Sequence, residues 1–319
     1  MSTATEVNEI VNLTPTAASK AFASQNPVIE TLQTLLRTRS AVAGMIIIGF
    51  LIFLAIFSPV IATHDPIQSM IGQPGENGKL PAKAPCITLL GCPDVQHYLG
   101  LDLNGRDIFS RIIWASRTSL TVGFTSVSIA AILGTLIGLV SGYAGGWVDN
   151  VIMRMMDVVL AFPSLLLAIT IVTIRGPGLE NALFAIAMVS IPAYARLIRS
   201  SVLSVKHMDY VLAARSLGAP PMRILFRHIF PNAWTTIIVQ ATLGIGTAVL
   251  DAAALSFLGL GAQPPTPEWG QMLSEGRSYV FTAPHLVFFP GIAIMMTVLG
   301  FNLLGDGLRD ALDPRLKRI

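Results

Sequence analysis

The fold class this sequence predicts is an all-α integral membrane protein with six spanning helices, and three observations predict it. Of its 319 residues, 53% are hydrophobic and only 12% charged, about half the charged share of an ordinary soluble domain, so most side chains have no water to face. Charge-free runs recur that are long enough to cross a hydrocarbon core. With both termini placed in the cytosol, the inner segments carry twice as many Lys and Arg as the outer ones, which is the asymmetry that membrane insertion imposes.

Composition also excludes several functions. A net charge of +3 with no basic patch interleaved with aromatics gives no reason to expect a nucleic-acid partner. Two cysteines cannot build a multi-thiolate metal site, and the five histidines lack ligand spacing, so no metal centre is expected.

Taken in order, residues 1–36 are polar and mixed in charge and read as a cytosolic tail. Arg37 and Arg39 then precede residues 41–62, which are free of charge and as a helix span roughly 33 Å. A cleaved signal peptide fits less well, because the run is too long and no A-x-A site follows. Residues 63–117 turn polar, and Pro66, Pro74, Pro81, Pro85 and Pro93 mark an irregular extracytoplasmic loop, so 37–117 forms one anchor-and-loop unit. Cys86 and Cys92 lie in that loop, where disulfides persist, and a local bridge is expected; two free or buried thiols are the alternative. Gly105-Arg106-Asp107 reads on its own as a turn followed by a helix cap.

A core follows over residues 118–308. Residues 118–148 carry no charge, and Ser126, Ala130, Gly134, Gly138 and Gly142 recur every four residues. That spacing leaves a flat ridge for close helix approach. Asp149, Arg154 and Asp157 mark an inner return before a span at 158–174 that Pro163 bends. Gly176-Pro177-Gly178 makes the next outer turn. Residues 181–195 reach spanning length only if Arg196 and Arg199 snorkel at the inner end. The fifth span, 229–250, leads into Asp251 and a Gly- and Pro-rich stretch with a re-entrant outer part; Gly244, Ala248, Ala252 and Ser256 form a second small-residue ridge. A lipid-facing carboxylate costs about 2.5–3.5 kcal/mol on insertion scales, so Asp251 is expected at a helix interface or along a solute path. Residues 282–305 are the sixth span, and 309–319 a basic cytosolic end.

Between the fourth and fifth spans lies DYVLAARSLGAPPMRILFRHIFPN, residues 209–232. Asp209 is suited to cap a short helix presenting Tyr210, Ala213, Ala214 and Leu217 on one face, and Gly218 to end it in the left-handed conformation. Pro221 fits the first turn of a second short helix, which Pro231 is expected to stop. Arg215, Arg223, Arg227 and His228 make the segment basic. By pattern alone it is either a loop holding the positive side of the membrane or a surface for a partner.

The spacing Ala213-Ala214, three residues, Gly218, then Pro231 resembles the EAA loop of ATP-binding-cassette (ABC) importer permeases, E-A-A-x3-G-x9-I-x-L-P. Leu212 stands at the Glu position, and His228 and Phe230 at the Ile and Leu positions. Residues 100–107, GLDLNGRD, resemble the G-T-D…G-R-D segment that precedes the core helices of dipeptide and oligopeptide permeases, with Leu101 at the Thr position. With GWVDNVIMRMMDVVLAFPSLLLAI, ALSFLGLGAQPPTPEWGQMLSEGR and FNLLGDGLRDALDPR, these segments identify the chain as similar to the C-type permease subunit of such importers. The resemblance implies a type I ABC importer permease fold and a coupling loop at 206–231 that docks on an ATPase. It also implies four kinds of partner: a B-type permease, two ATP-binding subunits, an extracytoplasmic solute-binding protein, and a peptide substrate. ATP and Mg are then held by the partners, since the chain lacks a G-x-x-x-x-G-K-[ST] loop. Importers of nickel, glutathione or haem share the scaffold.

Two other classes fit less well. An ion-coupled secondary transporter needs midplane ion sites in repeated halves, whereas Asp251 is the one acid within a predicted span and no repeat is visible. A hydrolase needs a nucleophile beside a base, but Ser141 sits in G-L-V-S-G and His285 at a span end, so no catalytic residue is expected.

Overall fold

The computed structural model describes residues 33–71, 82–87 and 97–312. Cys92, most of the N-terminal tail and the last seven residues therefore lie outside the described residues.

Among the described residues, ten helices carry the architecture. Helix α1 (Arg39–Ile56) runs into a single turn, α2 (Ser58–Ile61). Helix α3 (Ile108–Ala144) is followed by α4 (Gly146–Leu160), α5 (Ser164–Arg175) and α6 (Leu179–Val205). The short α7 (Asp209–Ser216) precedes α8 (Pro221–Phe257), and α9 (Trp269–Gly276) precedes α10 (His285–Leu312). Five of these helices, α1, α3, α6, α8 and α10, are long and apolar enough to span a membrane, and α4 with α5 makes a sixth if the pair is one span bent by 87°. Pro163 does more than bend that span. It separates two helices, because a proline denies the helix a hydrogen bond and clashes with the preceding turn.

The most extensive helix pair is α3 with α6, and the four-residue ridge is why. At Gly134 an added methyl would lie 2.5 Å from the Tyr194 Cβ, at Gly138 2.5 Å from the Ala195 carbonyl oxygen, and at Gly142 2.8 Å from the Val202 Cβ. Backbones touch there, which only small residues allow. Ser126 and Ala130, also buried, extend the same face of α3. A similar contact joins α1 to α10, where Gly44 packs against the Gly300 carbonyl and Gly307 against Ala41. Gly244 faces the Tyr194 hydroxyl, while Ala248, Ala252 and Ser256 are buried further along α8.

Three expectations are corrected. Helix α3 starts at Ile108 and not at 118, so Arg111 and Arg117 belong to a helix; the loop before it is correspondingly shorter. The N-cap of α7 is Met208, with Asp209 in the first turn. Pro231 does not stop a helix: it lies in the first turn of the α-helical part of α8, after a π-helical turn at Ile224–Ile229. The Phe230 N–H reaches back to the Leu225 carbonyl, and this wider turn lets the chain pass a residue that cannot donate to Arg227.

The α3–α6 ridge can be checked by thermal denaturation in detergent. Gly138→Ala should destabilise by about 1–3 kcal/mol, since the backbone opposite cannot move aside. Gly291→Ala in α10, where nothing lies within 4 Å, should be neutral or slightly stabilising.

Candidate functional site

Two ends of the bundle carry the polar chemistry. At one end α7 lies against the start of α8. Val211 is fully buried alongside Ile224 and Ile229, and the Asn232 amide donates to the Tyr210 hydroxyl at 3.0 Å and to the His228 carbonyl at 2.7 Å. So one face of α7 is fastened to the spanning helix. The other face is open: Leu217 is 88% exposed, and Leu212, Tyr210 and Met222 are exposed as well. Ala213 is exposed, Ala214 half-buried, and Gly218 ends the helix at φ 80° with nothing within 4 Å of an added methyl. Arg215, Arg223 and Arg227 are exposed and make no ion pair among the described residues. The arrangement is an apolar knob ringed by unpartnered guanidinium groups, which suits a partner offering an apolar cleft with acidic edges.

The same end is braced by ion pairs. Arg199 donates twice to Asp149, at 2.6 and 2.7 Å, and Ser141 also donates to that carboxylate. Arg196 meets Asp157 at 2.6 Å. These arginines on α6 therefore find carboxylates on α4 where snorkelling was expected. The Lys206 ammonium donates to the Gly142 carbonyl at 3.0 Å, neutralising the C-terminal end of α3.

At the opposite end a buried ionic network joins the segment before α3 to α9. Asp102 accepts from the Arg106 N–H and Nε, at 2.8 and 2.6 Å, and lies 3.4 Å from the Arg111 Nε. Arg106 reaches both oxygens of Glu275 at 2.9 Å, and Gln271 bridges Arg111 to Glu275 at 3.2 and 2.7 Å. Arg111 is fully buried. Two guanidinium groups facing two carboxylates leave no net charge in the interior, which is what makes its burial tolerable. Gly105, at φ 72°, makes the turn, and Asp107 caps α3 through the Ser110 N–H at 2.8 Å.

Asp107 also accepts from His97 at 3.0 Å, and His64 lies 3.9 Å away. Burial pushes its carboxyl up, but the hydrogen bonds from His97 and Ser110 and the neighbouring His64 outweigh that, and its pKa sits below the ordinary carboxylate value. The histidines thus do not all stand apart as their scatter in sequence suggested. Cys86 is disulfide-bonded; the chain's other cysteine, Cys92, is outside the described residues.

The remaining site residues lie along α3 and α8. Asp251 is half-buried on α8 and makes no hydrogen bond or ion pair among the described residues. The Ser256 hydroxyl accepts from the Ala262 N–H at 3.1 Å, so it stabilises the turn after α8. Gly134, Gly138 and Gly142 pack against α6.

Known proteins match the chain closely. Residues 134–318 match the family described as the binding-protein-dependent transport system inner membrane component, and residues 26–77 the N-terminal TM domain of oligopeptide transport permease C. The dipeptide transport system permease protein DppC of Alkalihalophilus pseudofirmus is 48% identical over 296 residues, covering 93% of this chain and 92% of that one. The glutathione transport system permease protein GsiD of Escherichia coli O6:K15:H31 is 46% identical over 88% of each chain. The di/tripeptide permease DppC of Pseudomonas aeruginosa is 44% identical over 94% of this chain and 96% of its own. In fold, a chain from an inward-facing structure of the MetNI methionine ABC transporter aligns with TM-score 0.54 at 18% identity, covering 65% of this chain and 98% of that one.

The ionic network gives a direct check. Arg106→Gln leaves Glu275 and Asp102 sharing one buried guanidinium, and should lower stability by about 3–5 kcal/mol in a denaturation experiment. Arg154→Gln, an exposed position on α4, should cost little.

Proposed function

We propose that this chain, which belongs to the binding-protein-dependent transport system inner membrane component family, is the C-type permease subunit of an ATP-driven importer of short peptides. Relatives at 44–48% identity carry the names of dipeptide, di/tripeptide and glutathione permeases; glutathione is itself a tripeptide, so short peptides are the class they share. The observation that carries the coupling assignment is the open face of α7, with Leu217 and Arg215 beside the unpaired Arg223 and Arg227 at the start of α8, on a helix whose other face is fastened to α8.

In this reading residues 206–231 are the coupling loop on the cytosolic side, and Tyr210, Ala213, Ala214, Arg215, Leu217, Gly218, Arg223 and Arg227 meet the ATPase. Two ATP-binding subunits supply ATP and Mg, a B-type permease completes the pore, and an extracytoplasmic solute-binding protein delivers the peptide. Closure of the ATPases pulls α7; because Val211 and Tyr210 tie α7 to the start of α8, the movement enters a spanning helix directly. Alternating access follows without any chemistry on the substrate. Asp251, a carboxylate without a partner on that same helix, stands at the boundary with the second permease or along the solute path, where a peptide ammonium could reach it.

The assignment is tested by co-purification of the ATPases and by uptake in vesicles. Ala214→Asp, which places an unpaired carboxylate in the docked surface, should cost about 3–5 kcal/mol. That weakens docking roughly a hundredfold to several thousandfold. Leu217→Ala, at a position exposed in the free chain, should cost about 1.5–3 kcal/mol of docking and leave the melting temperature of the isolated subunit unchanged. Lys206 is an unsuitable control, because it holds the end of α3; Leu217→Met serves instead and should retain both ATPases and uptake. If Ala214→Asp kept both, the segment would be an ordinary basic loop.

A further inference from the structure

His64, His97 and Asp107 are separated by 33 and 10 positions in sequence, yet each presents one ligand atom to the others, and these atoms all lie within 4.8 Å. His97 Nδ1 and Asp107 Oδ1 are 3.0 Å apart. Two neighbouring ligands bound to one ion at about 2.0–2.1 Å stand at close to that separation. The His64 Nδ1 lies 3.9 Å from the other carboxylate oxygen. His97 and Asp107 are fully buried, and His64 is about a quarter exposed, so the cluster has one open side.

Each member is also held by contacts outside the cluster. The Cys86 and His97 backbones exchange hydrogen bonds at 2.9 and 3.0 Å, and Cys86 is in turn constrained by a disulfide. Asp107 is fixed by capping α3, which occupies Oδ2 with the Ser110 N–H and hydroxyl and leaves Oδ1 facing His97. His64 follows α2, and its backbone N–H donates to the Ser110 hydroxyl at 3.0 Å. Preorganised ligands on three separate segments are what a metal site needs and a plain helix cap does not.

We propose that His64, His97 and Asp107 form a binding site for a divalent transition-metal ion of the zinc class at the end of the bundle opposite α7. Two imidazole nitrogens and one carboxylate oxygen select zinc, nickel or cobalt over calcium and magnesium, which require oxygen ligands throughout. Water completes the coordination from the open side, and the Thr63 hydroxyl, 2.9 Å from the His64 Nδ1, turns away to free that nitrogen. On uptake the proton shared by His97 Nδ1 and Asp107 is displaced to water. The bound ion ties the end of α2, the loop carrying Cys86 and His97, and the start of α3 into one unit.

The experiment is calorimetric titration of the full chain, purified in lipid nanodiscs with its associated subunits and stripped of metal, with zinc chloride. One saturable site per permease is expected beyond those on the other subunits, with a rise in melting temperature as zinc is added. His64→Ala and His97→Gln should each lose that site or weaken it by tenfold or more, while His207→Ala should not, and calcium should give no signal. His97→Gln can still donate to Asp107, so its metal-free melting temperature separates a lost ligand from a misfolded loop. Zinc binding that is unchanged in both His64→Ala and His97→Gln, or no zinc uptake assignable to this chain, overturns the proposal; in the second case the cluster is only a helix cap.

Discussion

The close approach of α3 and α6 is the contact on which the rest of the structure depends. Between helices in lipid there is little hydrophobic driving force, because the tails are as apolar as leucine, so association rests on packing at short range. Gly134, Gly138 and Gly142 remove the side chains that would hold the axes apart, and α6 fills the space to backbone contact. Once these two helices are fixed, the ends of α3 are fixed too. One end receives Lys206, at the Gly142 carbonyl, and the Asp149–Arg199 pair. The other carries the Asp107 cap and the buried Arg111.

Charge is handled in a consistent way around this frame. Where an arginine is buried or half-buried, carboxylates meet it: the nearby Asp102 and the distant Glu275 for Arg106 and Arg111, and Asp149 for Arg199. Isolated burial would be prohibitive, whereas balanced pairs with additional hydrogen bonds are tolerated and hold segments in register. The arginines without such partners among the described residues, Arg215, Arg223 and Arg227, gather around α7. Their exposure therefore differs in kind from that of Arg196, which is exposed yet paired.

Much of this was legible in the sequence because a bilayer imposes a long-range, compositional rule. Charge-free runs marked the spans, four-residue spacing marked the α3 ridge, and Gly218 marked the end of α7. What failed were inferences that treated a residue by type alone. Arg111 and Arg117 were read as loop because they are charged, yet one of the two carboxylates that balance Arg111, Glu275, is 164 positions away, and no local window contains it. Pro231 was read as a stop because a regular α-helix cannot absorb it, but a π turn can. His64, His97 and Asp107 showed no ligand spacing because three separate segments supply them.

The two polar ends differ in how they are built, and that difference bears on motion. Around Arg106 and Asp107 nearly every polar side chain has a buried partner on another segment, so displacing one element breaks several charged hydrogen bonds together. Such a region moves as a block. At the α7 end the attachment is narrower: Val211, the Tyr210–Asn232 hydrogen bond and a π-helical turn whose bonds are weaker than those of a regular helix. A pull on α7 therefore meets its least resistance in the first turns of α8, while the far end of the bundle resists as a unit. Strain entering at α7 would then be taken up first in the wide turn at the start of α8. A hinge there needs no unwinding within the membrane, because the wide turn already lies outside the straight part of the helix.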